Sequence, residues 1–467
     1  MNTNINVVIL AAGLGTRMKS KRAKVLHHAG GLTLVEHVVN SARELTPADR
    51  ITVVVGHQAE QVQRILAPQG VRFAAQREQK GTGHAVMMAR AVLPPDADLV
   101  LILYGDTPLL SAKTLRTLLD AQKASLSAGT LITFKLDDPT GYGRVLLDGG
   151  DCVHAIVEHK AATPEQLAIQ LVNSGIYCFR AELLWRYIDQ IGTNNPAHEY
   201  YLTDLAEILN RTGHTVAALE VPDSSELLGI NTRIELAEVD RIFRARKVRE
   251  LLLSGVTIEK PETVTIDAQV QIGADSIIGP FAQILGNTVI GEDCRVGACS
   301  IVQDSHLADR VEVGPFTIIG ASQVGEGAHI GPFARLRVDN TVGAGAHIGN
   351  FVELKKTKFA KGAKANHLAY LGDSEIGEKT NVGAGTITCN YDGVAKHKTI
   401  IGSNSFIGSN STLVAPIEIA SDTYIGAGSV ITDPVPAGAL AIGRGRQVTK
   451  EGWVEKRKKN SQASTKA

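Results

Sequence analysis

The sequence VGPFTIIGASQVGEGAHIG, residues 313–331, places an aliphatic residue followed by glycine about once every six positions. The same pair recurs along the second half of the chain, for example at Ile272-Gly273, Ile376-Gly377 and Ile425-Gly426. A six-residue period matches one face of a parallel β-helix coil, with one aliphatic side chain per face turned inward. A glycine-rich linker would have no reason to keep its aliphatic residues in register. We therefore predict a β-helix in which glycine eases each sharp corner, where a Cβ would clash.

The length and composition of the whole chain limit its class. Its 467 residues exceed what one hydrophobic core ordinarily serves, and this length predicts at least two domains. The 48 basic and 48 acidic residues cancel, which argues against a nucleic-acid or membrane surface. The five cysteines are scattered without a C-x-x-C pair. With no secretory leader pattern and no apolar run of about 18 residues, we expect a reduced, cytoplasmic protein without membrane insertion or nucleic-acid binding.

The chain opens with NVVILAAGLGTRM, in which an aliphatic run from Asn6 to Leu10 leads into a glycine loop. Such a run is typical of a buried parallel strand. Gly13 allows the loop backbone to approach a ligand, and Arg17 and Lys24 add positive charge beside it. This combination suits polyphosphate, although ordinary strand–helix turns also use glycine, so both interpretations stay open. The spacing matches neither the Walker pattern nor G-x-G-x-x-G, which disfavours an ordinary kinase or dehydrogenase.

The remainder of the first half alternates strand and helix patterns, which predicts an α/β domain with a mostly parallel, Rossmann-like sheet. The predicted strands are Ile51–Val55, Val71–Ala75 and Leu99–Leu103, and the predicted helices are Leu34–Leu45 and Ala59–Leu66. Ligands of such sheets lie at the carboxyl ends of strands. Asp106 follows the third strand, where a carboxylate can hold a divalent metal against phosphate or can simply cap a turn. The glycine-rich turn QREQKGTGHA, residues 76–85, can present backbone groups to a base or phosphate.

The second half of the chain begins with an interdomain linker and ends in a basic tail. Apolar residues at helical spacing amid alternating charges predict one long linker helix over residues 232–254, between domains at residues 1–231 and 255–467. The tail after Gly452 is polar, basic and without pattern, and is predicted to be disordered. Two segments depart from the hexad pattern, a lysine-rich insert between Gly349 and Ile376 and a second from Thr386 to Thr399. Their composition favours binding surfaces over plain loops.

Several motifs together resemble, in order and over nearly the whole chain, the bacterial bifunctional enzymes of UDP-N-acetylglucosamine synthesis. They are LAAGLGTRM, Lys24, Gln76, Gly81-Thr82, Tyr104-Gly105-Asp106, DDPTGYGR, IVEHK and the hexapeptide run. Such enzymes join an N-terminal uridyltransferase, or pyrophosphorylase, to a C-terminal glucosamine-1-phosphate acetyltransferase. The resemblance, and not the spacing, implies the left hand of the parallel β-helix and a homotrimer whose acetyltransferase site is shared between neighbouring β-helices.

For the first domain, the resemblance implies Mg²⁺-dependent transfer of uridylyl from UTP to N-acetylglucosamine-1-phosphate, by positioning and charge neutralisation without a covalent nucleophile. The residues that it places around the nucleotide are Leu10, Ala11, Ala12, Gly13, Arg17, Lys24, Gln76, Gly81, Thr82, Tyr104 and Gly105. It assigns Asp106 and Asn231 to Mg²⁺, and Gly143, Glu158 and Asn173 to the sugar phosphate. The histidines of this domain are interpreted as structural or exposed, namely His27, His28, His57 and His84.

For the second domain, the resemblance implies that His367 takes a proton from the amine of glucosamine-1-phosphate, whose nitrogen then attacks the thioester of acetyl-CoA. An imidazole suits this task because its reference pKa of about 6.5 leaves it largely neutral near neutral pH. The sugar contacts implied are Arg337, Lys355, Tyr370, Asn381, Asn390 and Tyr391, and the coenzyme A contacts are Ala384, Ser409, Ala427 and Arg444. A backbone N–H near Ala384 or Tyr391 is a candidate oxyanion donor.

Two positions depart from the family pattern. Val338-Asp339 follows Arg337 where a Pro-Gly turn is expected, and Ala365-Asn366 replaces the commoner Ala-Gly before His367. These changes affect loop shape more than chemistry. We therefore predict acetylation followed by uridylylation. The alternatives are a nucleotidyltransferase whose β-helix only oligomerises or regulates, which the composition around His367 disfavours, and a β-helical scaffold with an inactive first domain, which Lys24 and Asp106 disfavour.

Overall fold

The computed structural model describes residues 3–148, 151–222 and 224–464, and the chain divides into two compact units. The first unit ends at Arg246 and the second begins at Lys247. Both of these residues belong to one helix, Arg233–Leu253, where the sequence predicts a linker helix over residues 232–254. The predicted domain limits lie on either side of this helix. All five cysteines are free thiols.

The first unit is built on a nine-stranded sheet and a separate two-stranded hairpin, β2–β3. The strands are β1 (Ile5–Ala11), β2 (His28–Ala29), β3 (Leu32–Thr33), β4 (Ile51–Val55), β5 (Arg72–Ala75), β6 (Leu99–Tyr104), β7 (Gly129–Lys135), β8 (Arg144–Leu147), β9 (Val153–Val157), β10 (Leu171–Arg180) and β11 (Val216–Glu220). The order across the sheet is β11-β7-β10-β6-β1-β4-β5, and β8 pairs with both β10 and β9. β4 and β6 run parallel to β1, whereas β10 runs antiparallel to β6 and β7.

The burial of the central strand β1 on both faces explains why its sequence is almost entirely aliphatic. All seven of its residues are buried. Val7 and Ile9 pack into one hydrophobic core, and Val8 and Leu10 pack into another. Alternate side chains of a strand point to opposite faces, so a strand covered on both faces needs apolar residues at nearly every position. The polar exception is Asn6, whose side-chain amide donates to the Pro94 carbonyl at 2.8 Å. The predicted strand at this position is confirmed.

The helices flank this sheet in the pattern that the sequence predicts. They are α1 (Leu34–Arg43), α2 (Ala59–Leu66), α3 (Thr82–Ala89), α4 (Ala112–Ala124), α5 (Pro164–Leu167), α6 (Ala181–Tyr187) and α7 (Asp204–Arg211). α8 (Arg233–Leu253) is the helix that contains the boundary between the two units. The start of α1 is set by a capping box, in which Thr33 and Glu36 each satisfy a backbone N–H of the other. α2 has its predicted bounds, and α1 ends two residues before the predicted Leu45.

The second unit consists of three parallel sheets, and each coil contributes strands to them in turn. The first sheet contains Thr257–Ile258, Ile277–Ile278, Arg295–Val296, Glu312–Val313, His329–Ile330, His347–Asn350, Lys364–His367, Asn381–Val382, Phe406–Ile407, Tyr424–Ile425 and Leu440–Ala441. The second sheet contains Thr265–Ile266, Gln283–Leu285, Ile301–Gln303, Ile318–Gly320, Arg335–Leu336, Glu353–Lys355, Tyr370–Gly372, Ile387–Cys389, Thr412–Val414 and Val430–Ile431. The third sheet contains Gln271–Ile272, Val289–Ile290, His306–Leu307, Ser322–Val324, Asn340–Val342, Lys358–Phe359, Ser374–Ile376, Thr399–Ile401 and Ile417–Ile419.

The aliphatic residues of the hexads form columns inside this unit. In the first sheet, Val296 pairs with Val313, and Val313 pairs with Ile330 in the next coil. All three side chains are buried in one continuous core. Each inward side chain therefore packs on its equivalents in the neighbouring coils. The predicted parallel β-helix of hexapeptide repeats is confirmed.

Glycine follows the inward aliphatic residue because adjacent coils approach closely at that point. A Cβ on Gly343 would lie 2.4 Å from the backbone nitrogen of Lys361 in the next coil. The left-handed backbone of the corners falls on other residues, such as Asp275 with φ 59° and Phe316 with φ 58°. The predicted clash is therefore present, but most of these glycines do not supply the left-handed turn. Gly331, which follows Ile330 and has φ 98°, is an exception.

This close approach makes the Gly343→Ala variant less stable. We expect the added methyl group to force neighbouring coils apart and to lower the free energy of unfolding of the β-helix by about 1–3 kcal/mol. Urea unfolding followed by far-ultraviolet circular dichroism measures the change. Gly445→Ala is the matched control, because a Cβ there meets nothing within 4 Å. Equal midpoints for the two variants would contradict this explanation.

The predicted lysine-rich insert is not an excursion from the β-helix. From Glu353 to Gly372 the strands pair in register with the coils on either side. The inward positions of this segment are filled by buried Leu354, Phe359, Ala365 and Leu371. These residue types replace the usual isoleucine-glycine and valine-glycine pairs, so the period is hidden in the sequence. The prediction of an insert here is wrong.

The second predicted departure is a true excursion. Val382 pairs with Ile407 in the next coil, 25 positions later, whereas Val296 pairs with Val313 after only 17. The additional residues form a loop between the strands Ile387–Cys389 and Thr399–Ile401. The loop lies beside the coil that contains Asp373, because the side-chain amide of Asn390, at the start of the loop, donates to the Asp373 carboxylate.

The tail forms a further helix, α9 (Trp453–Ser464), where the sequence predicts disorder. Lysine, arginine, glutamate and alanine are good helix formers, and they dominate this segment. The guanidinium of Arg457 lies 5.1 Å from the ring centroid of Trp453, one turn earlier. The prediction of disorder is wrong up to residue 464, and residues 465–467 lie outside the described residues.

Candidate active sites

The loop after β1 forms one wall of a cavity of about 450 Å³, here called the glycine-loop cavity. Gly15 has φ 63°, and a Cβ there would lie 2.6 Å from the Cβ of Lys24, so the loop requires glycine. Nearly all of the predicted nucleotide-binding residues line this cavity. They are Leu10, Ala11, Ala12, Gly13, Arg17, Lys24, Gln76, Gly81, Thr82 and Tyr104. Gly105 is not among the lining residues, and its N–H donates to the Leu10 carbonyl at 2.9 Å.

The predicted metal ligands and phosphate-binding cations converge at this cavity. The Lys24 ammonium forms an ion pair with Asp106, and its Nζ lies 3.1 Å from Oδ1 of Asn231. Arg17 donates to the same Asn231 oxygen at 2.7 Å. The ion pair is mostly buried, with side-chain exposures of 17% for Lys24 and 14% for Asp106. Two cations and two oxygen-bearing side chains from distant positions therefore form one constellation.

The oxygens of this constellation suit a magnesium ion. Mg²⁺ prefers oxygen ligands and usually takes one or two protein carboxylates, with water and substrate phosphates completing its shell. Asp106 and Asn231 provide one carboxylate and one amide oxygen, both already facing a cation, the ammonium of Lys24. Gly229 leaves space beside them, since a Cβ there would lie 3.8 Å from Oδ2 of Asp106. Within the described ranges, no group of three His, Cys, Asp or Glu side chains forms an all-protein metal site.

A second cavity, of about 270 Å³, adjoins the first and shares Asp106 and Asn231 with it. The three predicted sugar-phosphate residues line it, namely Gly143, Glu158 and Asn173. Burial raises the pKa of the Glu158 carboxyl, whose Oε1 accepts a hydrogen bond from Thr203 at 3.3 Å. Asn173 is held by accepting the N–H of Gly175 at 2.9 Å. The cavity is therefore polar and pre-formed.

Tyr104 lines both cavities. A Cβ on Gly175 would lie 2.5 Å from the Tyr104 ring, and Gly175 has φ 79°, so glycine is required for the ring to lie here. Burial raises the pKa of the Tyr104 phenol, which keeps it neutral. The ring thus supplies an apolar wall with a neutral hydroxyl.

Several cavity residues were not predicted. Tyr142 lies in the DDPTGYGR motif, and Glu235 accepts the backbone N–H of Asn231 at 2.5 Å. Both lie near motif residues, and that proximity could have identified them. Gln79 is within the glycine-rich turn, but Glu199 comes from an irregular segment between α6 and α7 and had no signal in the sequence.

In the second unit, a buried lysine anchors a polar cluster at a corner of the β-helix. Lys355 is 7% exposed, and its ammonium donates to Oδ2 of Asp373 at 2.9 Å. The side-chain amide of Asn390 donates to the same carboxylate oxygen and lies 3.5 Å from the Tyr370 hydroxyl. Burial opposes ionisation of Asp373, but the hydrogen bonds from Lys355 and Asn390 hold the pKa of this carboxyl below its usual value. We call these four residues the Lys355 cluster.

Asp373 was not predicted, although it follows Gly372 at a corner with φ 49°. An aspartate after the glycine of a lysine-rich coil is the signal that could have identified it. Arg337 lies one coil before Lys355, and its guanidinium pairs with Glu353 at 3.3 Å. The cluster therefore brings together three predicted sugar residues around a carboxylate that orients two of them.

The predicted base and the predicted coenzyme A residues occupy equivalent positions in consecutive coils. Ala365 pairs with Val382, and Ile407 pairs with both Val382 and Ile425. The residues two positions after each of these four form one column, which consists of His367, Ala384, Ser409 and Ala427. Arg444 donates to the Ala427 carbonyl at 2.8 Å and extends the column by one coil. The structure therefore brings together five residues that are scattered in the sequence.

Two predicted sugar-binding residues make no hydrogen bond to the Lys355 cluster among the described residues. Asn381 lies on the first sheet, between Lys364 and Phe406 of the neighbouring coils. Tyr391 is 58% exposed on the excursion loop, and its hydroxyl donates to the Gly393 carbonyl at 2.6 Å. Among the described residues, no hydrogen bond joins either side chain to the Lys355 cluster.

Among the helices that the structure describes, none combines the length and the apolar character needed to cross a membrane.

Comparisons with known proteins agree with both halves of this description. The MobA-like NTP transferase domain matches residues 7–163, and the bacterial transferase hexapeptide (six repeats) matches residues 269–304 and 398–433. The bifunctional protein GlmU of Solibacter usitatus (strain Ellin6076) is 60% identical over 455 residues, which cover 97% of this chain and 98% of that protein. The bifunctional protein GlmU of Koribacter versatilis (strain Ellin345) is 49% identical over 98% of both chains. This chain therefore belongs to the GlmU family of bifunctional enzymes, with a nucleotidyltransferase activity and an acetyltransferase activity.

Proposed function

We propose that the second unit acetylates glucosamine-1-phosphate with acetyl-CoA, and that the first unit then transfers uridylyl from UTP to the resulting N-acetylglucosamine-1-phosphate. The observation that carries the proposal is the Lys355 cluster. A β-helix that served only as a scaffold would have no need of a nearly buried lysine and a buried asparagine that share one carboxylate. The glycine-loop cavity supports the second activity independently.

The first unit positions the two substrates of nucleotidyl transfer. The glycine-loop cavity accommodates UTP, and the second cavity accommodates the sugar phosphate through Gly143, Glu158 and Asn173. Lys24 and Arg17 exchange their contacts with Asp106 and Asn231 for phosphate oxygens, and so neutralise the charge that develops there. The sugar-phosphate oxygen attacks the α-phosphorus, the bond to the leaving phosphate breaks, and pyrophosphate departs. The remaining cavity residues orient the reactants.

Asp106 and Asn231 hold Mg²⁺ in this proposal. These two side chains would hold the ion, which would supply further neutralisation of phosphate charge when bound. The carboxylate of Asp106 and the amide oxygen of Asn231 are the kinds of ligand that this ion takes. Lys24 brings the two oxygens together until it turns to the phosphate.

The second unit performs acetyl transfer through the column that contains His367. Arg337, Lys355 and Tyr370 bind glucosamine-1-phosphate with Asn381, Asn390 and Tyr391. His367 takes a proton from the substrate amine as its nitrogen bonds to the thioester carbonyl carbon. The carbon–sulfur bond then breaks, and coenzyme A leaves as the thiol with the proton that His367 had taken. Coenzyme A lies along the column, against Ala384, Ser409, Ala427 and Arg444.

The β-helix associates into a homotrimer in this proposal. A ridge of phenylalanines runs along one corner, where Phe316, Phe333 and Phe351 are 52%, 45% and 58% exposed. Neighbouring rings of the ridge stack with centroids 5.1 and 5.5 Å apart. An exposed apolar surface of this kind is typical of a protein–protein interface. Light scattering on the purified protein checks the proposal, with a mass three times that of one chain expected.

The first experiment gives the purified protein glucosamine-1-phosphate and acetyl-CoA without UTP, and follows the release of free thiol. We expect thiol only when the sugar phosphate is present, because the amine is the acetyl acceptor. No thiol, together with pyrophosphate release from UTP and N-acetylglucosamine-1-phosphate, would reduce the β-helix to a scaffold.

A further inference from the structure

The side chain of Gln76 is held in one orientation at the glycine-loop cavity. This residue follows β5, its backbone N–H donates to the Val55 carbonyl at 2.8 Å, and it is 4% exposed. Its Nε2 lies 3.0 Å from the Gly81 carbonyl oxygen and 3.1 Å from Nδ1 of His84. A carbonyl oxygen can only accept a hydrogen bond, so the nitrogen of the Gln76 amide must face Gly81.

This orientation makes Nδ1 of His84 a hydrogen-bond acceptor. The Gln76 nitrogen has two hydrogens, one for the Gly81 oxygen and one for Nδ1 of His84. Nδ1 of His84 therefore accepts this second hydrogen bond through its lone pair. His84 lies on α3, which begins directly after Gly81, so the helix carries both acceptors that hold the amide. Helix and amide are thereby locked together.

The amide oxygen remains for a ligand. Gln76 lines the glycine-loop cavity, and Oε1 has no hydrogen-bond partner among the described residues. Because both amide hydrogens are already used, the cavity receives an acceptor from Gln76 and no donor. A uracil ring presents a donor at its N3–H, whereas a cytosine ring has only a lone pair at N3. An acceptor fixed at this position distinguishes the two bases.

We propose that His84 is a positioning residue that fixes the Gln76 amide so that the cavity selects a uridine over a cytidine nucleotide. The inference rests on the proposed function of this cavity as the UTP site. Without the second acceptor, only the Gly81 carbonyl opposes rotation of the Gln76 amide. The rotated amide, which presents a donor to cytosine, therefore becomes less costly. A site that hydrogen-bonds its ligand rejects analogues because its own buried polar groups are left unpaired. His84 maintains that rejection.

The test compares kcat/KM for UTP and for CTP, with N-acetylglucosamine-1-phosphate as the second substrate. Selectivity is the kcat/KM for UTP divided by the kcat/KM for CTP. We expect His84→Leu to lower this ratio by about three- to tenfold, the usual contribution of one hydrogen bond. His84→Asn supplies a side-chain oxygen close to the position of Nδ1, and we expect it to retain most of the wild-type ratio. His154→Leu is the matched control, because His154 is 62% exposed.

The possible results distinguish failure of the proposed UTP site from failure of the positioning role of His84. A wild-type protein that turns over neither nucleotide would overturn the UTP site itself. An unchanged ratio in a folded His84→Leu variant, or equal losses for both nucleotides in His84→Leu and His84→Asn, would overturn the positioning role. Should His84→Leu fail to fold, His84→Ala replaces it, because the smaller side chain removes the acceptor without adding apolar bulk.

Discussion

His367→Ala lowers the rate of acetyl transfer to glucosamine-1-phosphate by roughly 10²- to 10⁴-fold, the usual worth of a general base, and leaves uridyl transfer at the wild-type rate. In the proposed mechanism the substrate amine loses its proton acceptor, while the other proposed contacts to the substrate remain. His367 lies one coil from Ala384, and the further coenzyme A residues Ser409 and Ala427 follow in the same column. The base therefore lies at one end of the proposed coenzyme A surface.

Two assays on the same preparation measure this effect. Thiol release reports acetylation, and pyrophosphate release from UTP and N-acetylglucosamine-1-phosphate reports uridylylation. His306→Ala is the matched control, because His306 also occupies an exposed strand position of the β-helix. Equal losses in both assays would indicate a folding defect, and unaltered acetylation would show that another group accepts the proton.

Asp106→Ala abolishes Mg²⁺-dependent pyrophosphate release, with a loss of at least about 10²- to 10³-fold, as for removal of one group that stabilises transition-state charge. The substitution removes the one carboxylate of the proposed ion site. It also leaves Lys24 without its anionic partner in a largely buried position. Acetylation stays near the wild-type rate, because the Lys355 cluster and His367 belong to the second unit.

The matched control for this variant is Asp189→Ala, which removes an exposed carboxylate paired with Arg90 in the same unit. Pyrophosphate release is measured over a range of Mg²⁺ concentrations. Unchanged uridyl transfer in Asp106→Ala, with the wild-type dependence on Mg²⁺, would show that the ion is bound elsewhere.

Much of the fold was predictable because its signals are local. The aliphatic run of β1 and the glycine loop lie within one short segment, and the order of strands and helices follows from periodicity. Two predictions failed for the same reason. Between Glu353 and Gly372 the coil continues with alanine, leucine and phenylalanine inward, and in α9 charged residues form a helix without an apolar stripe. The coil forms without the aliphatic-glycine pairs, and the helix forms without an apolar stripe, so neither carries the pattern by which it would be predicted.

The sequence predicts most of the residues of the candidate sites, but it predicts their contacts with one another only in part. Resemblance supplied Lys24, Asp106 and Asn231, but their mutual contacts depend on strands and loops that are distant in sequence. Asp373 belongs to none of the motifs that carry the resemblance, and the sequence interpretation of His84 is structural or exposed. Its hydrogen bond to Gln76 joins a strand end to a helix, and nothing in the spacing of the two residues predicts that bond.

The sequence by itself determined the two kinds of architecture, since a hexad specifies one face of a coil and an aliphatic run specifies a buried strand. Tertiary structure alone decided which side chains meet. Neighbouring coils are 17 residues apart at Val296 and Val313 but 25 apart at Val382 and Ile407, so the partners across coils depend on where the chain makes an excursion. The Lys24–Asp106 pair forms because the segment that follows β1 packs beside the end of β6. The Lys355–Asp373 pair forms because successive coils stack on each other. Contacts of this kind are set by stacking in space, which a local period does not encode.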